Sequence, residues 1–92
     1  MEIKRGAAAG TLESSDIMVT VLPSADGIQI NLTSSVETYY GDSIRAAMRQ
    51  VLADLGVENA SVEAVDHGAL ECTIRARLTT AVRRASREEG AL

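Results

Sequence analysis

The residues best suited to chemistry form one short run, Glu13-Ser14-Ser15-Asp16, in which two hydroxyls stand between two carboxylates. Short polar side chains of this kind bond nearby backbone groups and are typical of tight turns. A serine in an exposed turn is also accessible to a modifying enzyme. Because a serine hydroxyl is a weak nucleophile without a neighbouring base, the run indicates either a simple turn or a site that a second enzyme modifies.

The other candidate groups favour structural roles. His67 lies in a predicted tight reversal distant from the two serines, so a self-contained Ser-His-Asp hydrolase is not expected. Cys72 falls between Leu70 and Ile74 in an alternating apolar pattern, which predicts a buried cysteine. One cysteine and one histidine are too few for a structural zinc site.

Charged residues suggest two further roles. Glu13 and Asp16 could help to hold a metal ion during modification, but we interpret them as solvated turn carboxylates. Five of the nine basic residues lie near the end of the sequence: Arg75, Arg77, Arg83, Arg84 and Arg87. They predict either a solvated basic face or a docking patch for an acidic partner or for phosphates.

The composition of the 92 residues narrows the class of protein. This length predicts a single domain over residues 1–92. There is no Phe or Trp and the net charge is −4, so neither a stacking surface nor a basic footprint for nucleic acid is expected. No apolar run approaches the roughly 18 residues of a membrane span, and the N-terminus lacks the apolar region of a secretory signal. A single cysteine favours a reducing, cytoplasmic setting.

Alternation and turn residues predict the first half of the fold. Residues 1–15 form an extended or irregular arm and the serine turn. Residues 17–22 and 28–33 alternate as strands, and the Asp26-Gly27 turn between them predicts an antiparallel hairpin. A helix follows, with Asp42 as the favoured N-cap and Gly56 as the stop. A capping box formed by Ser34 and Glu37 would start it earlier.

The second half predicts strands at 61–65 and 70–78, a terminal helix at 79–87 and a loose tail at 88–92. The element order is therefore β-β-α-β-β-α. We expect an α+β fold, a two-layer sandwich with a four-stranded antiparallel sheet in the strand order 2-1-3-4. Both helices would cover one face of this sheet.

Taken together, the motifs of the chain resemble the acyl carrier protein of citrate lyase, its gamma subunit. The resemblance is carried by Met1-Glu2-Ile3-Lys4, the segment from Gly10 to Asp16, Ser34-Ser35-Val36-Glu37, Gly41-Asp42-Ser43-Ile44-Arg45, Asp66-His67-Gly68-Ala69-Leu70-Glu71-Cys72 and Arg75-Ala76-Arg77-Leu78. Their order and spacing agree over most of the chain. In that family the first serine of the Ser-Ser-Asp turn carries the prosthetic group, and the matching position is Ser14.

The resemblance implies a carrier subunit without a catalytic residue of its own. The implied cofactor is 2'-(5''-phosphoribosyl)-3'-dephospho-CoA, joined to Ser14 by a phosphodiester. The implied partners are the transferase (alpha) and lyase (beta) subunits of citrate lyase and a prosthetic-group transferase. The thiol of the arm would hold acetyl and then citryl while citrate is cleaved to acetate and oxaloacetate.

Two other interpretations stay open. The acyl carrier of malonate decarboxylase is similar in size and carries the same kind of group, although its attachment turn typically has glycine around the serine. A non-carrier interaction module is the third. The intact mass separates both carriers from such a module, because only a carrier gains a large phosphopantetheine-containing adduct.

Overall fold

The computed structural model describes residues 1–87, and the loose tail predicted at 88–92 lies outside the described residues. The described part contains four strands and two helices in the order β-β-β-α-β-α. Their bounds are β1 Ala7–Gly10, β2 Ile17–Leu22, β3 Ile28–Ser34, α1 Glu37–Asp54, β4 Ala60–Asp66 and α2 Glu71–Ser86. Within this part of the chain, neither helix is long and apolar enough to cross a membrane.

The strands form one sheet, and the two helices pack on the same face of it, which confirms the predicted α+β two-layer sandwich. Side chains that point toward the helices are apolar and buried, as Val19 of β2 and Val62 of β4 illustrate. Glu63, the neighbour of Val62, points to the uncovered face and is exposed. The buried core of the described residues is wholly aliphatic, in agreement with a composition without Phe or Trp.

The sheet order is β1-β2-β4-β3, and the sheet is mixed rather than purely antiparallel. Strand β2 pairs antiparallel with β1 and β4, so the predicted adjacency of segments 17–22 and 61–65 is confirmed. The predicted hairpin between 17–22 and 28–33 is wrong, because β3 pairs in parallel with β4. Strand β4 lies between the two arms of that hairpin. Alternation of apolar and polar residues identifies a strand and its buried face, but it does not identify which strand lies beside it in the sheet.

The N-terminal arm supplies the strand that the prediction assigned to residues 70–78. The arm was predicted to be extended or irregular, and it is extended. Within it, β1 pairs Ala7 with Val21 and Ala9 with Val19 of β2. Arg84 of α2 donates a hydrogen bond from Nη1 to the carbonyl of Ala8 at 2.8 Å. This bond satisfies a backbone acceptor on the edge strand and ties α2 to it.

Helix α1 begins at Glu37, so the favoured start at Asp42 is wrong and the earlier alternative is nearer. The capping box does not form, however, because the N-cap is Val36 and no side chain caps it. The Ser34 hydroxyl instead accepts a hydrogen bond from the Val36 N–H at 3.1 Å. At the other end, Gly56 adopts a φ of +68° directly after the C-cap, which confirms the predicted stop.

Segment 70–78 is helical from Glu71 onward, and the fourth strand predicted there is wrong. Helix α2 also contains most of the terminal helix predicted at 79–87. Its buried side chains are Ile74, Leu78, Ala81, Val82 and Ala85. These positions recur every three or four residues, which is the spacing of a helix face. Cys72 and Ala76 are exposed, although the strand pattern grouped them with Ile74.

A matched pair of substitutions distinguishes the two arrangements of this segment. Ile74→Asp should abolish cooperative folding, because it would place an unpaired carboxylate among aliphatic side chains. Ala76 lies on the exposed side of α2. Ala76→Asp should therefore lower the free energy of unfolding by less than about 1 kcal/mol, because differences in helix propensity are of that size. Thermal melts followed by circular dichroism measure both. Comparable loss of structure in the two variants would instead indicate a strand face.

Candidate functional site: the serine turn

Residues 11–16 connect the antiparallel strands β1 and β2, which places the two serines in a tight turn at one end of the sheet. Gly10 enters this turn with a φ of +102°, and a Cβ there would lie 1.8 Å from the carbonyl oxygen of Ile17. Only glycine avoids that overlap. Ser15 adopts a φ of +64°, a conformation that residues other than glycine adopt rarely. The backbone is therefore constrained on both sides of Ser14.

The carboxylate of Asp16 fixes the turn to its surroundings. Its Oδ2 accepts a hydrogen bond from the Thr11 hydroxyl at 2.6 Å, and its Oδ1 accepts one from the Ile17 N–H at 2.7 Å. Arg77 of α2 donates to both oxygens, from Nε at 3.1 Å and from Nη2 at 2.9 Å. This two-pronged geometry is the strongest form of arginine–carboxylate pairing.

The same contacts lower the pKa of the Asp16 carboxyl. The hydrogen bond from Arg77, followed by that from Thr11, holds the pKa of the Asp16 carboxyl well below its usual range. The carboxylate in turn raises the pKa of Arg77. The Asp16 side chain is only 13% exposed. The interpretation of Asp16 as a solvated turn carboxylate is therefore wrong.

The turn also contacts the loop between β4 and α2. The Ser15 N–H donates to the His67 carbonyl at 2.8 Å, and the His67 N–H donates to the Asp16 carbonyl at 2.9 Å. The prediction that His67 is distant from the serines is wrong. Over residues 1–87 the contact is nevertheless one of backbone alone, since no hydrogen bond joins the imidazole to Ser14 or Ser15. The contact fixes the turn without supplying a base.

Ser14 lies at the exposed apex of the turn. The residues around it are tied down: the Glu13 N–H donates to the Thr11 hydroxyl at 3.2 Å, and the Asp16 N–H donates to the Glu13 carbonyl at 3.2 Å. The Ser14 hydroxyl itself has no hydrogen-bond partner in the described part of the chain. This arrangement presents an accessible hydroxyl on a fixed backbone, which suits a residue that another enzyme modifies.

The structure bears on two further sites considered from the sequence, a metal site at Glu13 and Asp16 and a basic docking patch near the end of the chain. Among residues 1–87, no group of three or more His, Cys, Asp or Glu side chains is placed to hold a metal ion. The five arginines near the end of the sequence do not share one role, since Arg75 pairs with Glu71 at 3.2 Å and Arg77 and Arg84 bond within the fold. Cys72 is exposed, so its predicted burial is wrong.

A second aspartate, Asp66, shapes the loop beside the turn, and the sequence reasoning missed it. It is 1% exposed, and its carboxylate accepts hydrogen bonds from the Ser34 hydroxyl at 2.8 Å, the Gly68 N–H at 3.1 Å and the Ala69 N–H at 3.0 Å. An Asp two residues before a Gly is typical of turns in which the side chain bonds the following backbone. That signal was available in Asp66-His67-Gly68.

An open groove of about 360 Å³ lies between the first turns of α1 and α2. It is lined by Val36, Tyr40, Ser43, Ile44, Ala47, Gly68, Ala69, Leu70, Glu71 and Ile74. Tyr40 and Leu70 are 58% and 70% exposed, so the groove has an apolar rim that is open to solvent. Because the loop that contacts the serine turn continues into the groove wall, the turn and the groove lie at the same end of the molecule.

Comparisons with known proteins agree over nearly the whole chain. The acyl carrier family model described as the malonate decarboxylase delta subunit matches residues 4–85. The citrate lyase acyl carrier protein of Streptococcus mutans is 59% identical, over 97% of this chain and 88% of that protein. Those of Lacticaseibacillus casei and Halothermothrix orenii are 56% and 49% identical, over 94% and 95% of this chain and 85% and 93% of theirs.

A solved structure shares the fold. A chain in the crystal structure of a Pseudomonas malonate decarboxylase hetero-tetramer in complex with malonate aligns with a TM-score of 0.74. The alignment covers 91% of this chain and 87% of that chain, at 19% sequence identity. At this identity the likeness establishes a common fold.

The bonds of Asp16 predict a pH-dependent contribution to stability. Asp16→Asn should lower the melting temperature at pH 7, whereas Glu13→Gln, in the same turn, should not. Because the folded pKa of Asp16 is depressed below its ordinary value of 3.8, its contribution is fully present above about pH 5 and shrinks as the pH falls below about 4. Melting temperatures of both variants between pH 7 and pH 2.5, each relative to wild type, measure this. A difference for Asp16→Asn that stays constant with pH would contradict the assignment.

Proposed function

The chain belongs to the citrate lyase acyl carrier protein family, and on that basis we propose that it is the acyl carrier subunit of a citrate lyase. The structural observation that supports a carrier role is the exposed Ser14 hydroxyl, held on a turn whose backbone is fixed by Asp16. A carrier residue must be reached by a modifying enzyme and needs no base of its own. Both conditions describe Ser14.

We propose that Ser14 carries 2'-(5''-phosphoribosyl)-3'-dephospho-CoA through a phosphodiester. When bound, this group supplies a terminal thiol to which an acyl group can be attached. The residues of the turn fit such an attachment, because the Ser14 hydroxyl is exposed and its neighbours bond each other rather than it. The contribution of the chain is to present the group at a fixed point on a rigid domain.

The partners in this proposal are the transferase (alpha) and lyase (beta) subunits and a prosthetic-group transferase. A tethered acyl group can visit two active sites without dissociating, so the carrier contributes effective concentration rather than an acid, base or nucleophile. We therefore propose a single, non-catalytic carrier domain that works in the cytoplasm. His67 contacts the turn through backbone atoms, and over the described residues its imidazole forms no hydrogen bond with Ser14 or Ser15, which supports a non-catalytic role.

A carrier for malonate decarboxylase is the second candidate. The family model that matches residues 4–85 favours it, since that model is described by this enzyme. The sequence relatives favour the citrate lyase carrier more strongly, because three of them are 49–59% identical over nearly the full chain, compared with 19% for the structural neighbour.

The attachment residue can be tested by intact mass. After co-expression with the prosthetic-group transferase, the wild-type protein should gain the mass of the group and Ser14→Ala should not. Ser15→Gly, which relieves the positive φ, is the matched control and should still be modified. Since Ser14 is exposed, Ser14→Ala should change the free energy of unfolding by no more than about 0.5 kcal/mol. A peptide map that places the adduct on Ser15 would contradict the assignment.

A further inference from the structure

We propose that the groove between the first turns of α1 and α2 is a resting site for the arm attached to Ser14. The ligand would be the uncharged, amide-containing part of the arm together with its thiol end. This inference rests on the proposed function, and it assigns a role to a surface that the attachment chemistry does not use.

The first argument is proximity. The Ser15 N–H bonds to the His67 carbonyl at 2.8 Å, and the next two residues, Gly68 and Ala69, line the groove. Ser14 is thus one residue from a contact with His67, whose neighbour Gly68 lines the groove. Because a short flexible tether gives an effective concentration in the millimolar range, a weak intrinsic affinity is enough to populate the bound state.

The second argument is chemical fit. The groove volume of about 360 Å³ lies within the range of roughly 300–1,000 Å³ typical of small-molecule sites. Its walls are mainly aliphatic, and the hydroxyls of Ser43 and Tyr40 are available at its edge for amide groups. The charged residue of the lining, Glu71, is paired with Arg75 at 3.2 Å. Such a groove favours methylene and amide groups and disfavours unpaired phosphates or carboxylates.

The third argument is the exposed apolar rim. Tyr40 and Leu70 border the groove and remain more than half exposed. A flexible chain lying in the groove would cover part of this surface without any partner subunit. A groove reserved for a partner subunit would instead be unchanged by modification of the isolated carrier, and this difference makes the inference testable.

The experiment compares unmodified and modified carrier, each verified by intact mass and each without partner subunits. Methyl NMR signals of Ile44, Ala47 and Leu70 should shift on modification. The signal of Val57, beyond the far end of α1, should not. The alkylation rate of the arm thiol by iodoacetamide gives a second measurement, made in a Cys72→Ser background because Cys72 is itself exposed.

A groove-filling variant tests occupancy directly. Ser43→Trp, at an exposed position of the lining, should speed alkylation of the modified arm by about twofold if the arm spends half its time bound at millimolar effective concentration. Ala53→Trp, exposed on α1 outside the groove, is the control and should leave the rate unchanged.

The outcomes separate the two proposals. A correct adduct mass with unchanged methyl signals and equal alkylation rates in wild type and Ser43→Trp would overturn the resting site alone. A chain that gains no adduct when co-expressed with the transferase would overturn the proposed function and the resting site together.

Discussion

The carboxylate of Asp16 is the constraint on which the serine turn depends. It accepts four hydrogen bonds, from Thr11, from Ile17 and two from Arg77, and it thereby joins the turn, the start of β2 and helix α2. A turn of this length has few backbone bonds of its own, so its shape must be imposed by such contacts. Because Asp16 takes on this role, Ser14 can remain exposed with its hydroxyl free of structural bonds.

Asp66, at the end of β4 beside β2, fixes the neighbouring loop in the way that Asp16 fixes the turn. It pairs with Ile17 across the β2–β4 ladder, and its buried carboxylate orders the loop that leads into α2. That loop bonds to the backbone of the serine turn and also forms one wall of the groove. Two aspartates therefore connect the turn that carries Ser14 to a rigid sheet and to the groove bordered by Tyr40 and Leu70.

Local patterns in the sequence predicted those features that depend on local physics. The strands at β2 and β4, the apolar stripe of α1 and the stop at Gly56 follow from periodicity and turn chemistry, and each is present. The prediction of a fourth strand at 70–78 was wrong because the spacing of Leu70, Ile74 and Leu78 fits both the two-residue period of a strand and the roughly four-residue period of a helix. The alanine-rich β1 carries little propensity for a strand, and it forms one because β2 offers a free edge.

Features of the site that depend on long-range contacts could not be predicted. Asp16 and Arg77 are far apart in sequence, and their pairing requires α2 to be a helix with Arg77 facing the turn. The proximity of His67 to Ser15 follows from the antiparallel pairing of β2 with β4, which was predicted, and from the register that places Asp66 opposite Ile17, which was not. The local sequence identified the Ser14-Ser15 turn, and the choice of Ser14 came from the resemblance of this motif to the citrate lyase acyl carrier family.

The central claim is that this chain carries an acyl group for catalytic subunits and performs no chemistry by itself. The most direct measurement mixes modified, acetylated protein with the transferase and lyase subunits of citrate lyase and follows the oxaloacetate formed from citrate. We predict none from the isolated chain and sustained formation from the full mixture. Citrate turnover by the isolated chain, or carbon dioxide from malonate without oxaloacetate from citrate when the corresponding malonate decarboxylase subunits are supplied in parallel, would contradict the claim.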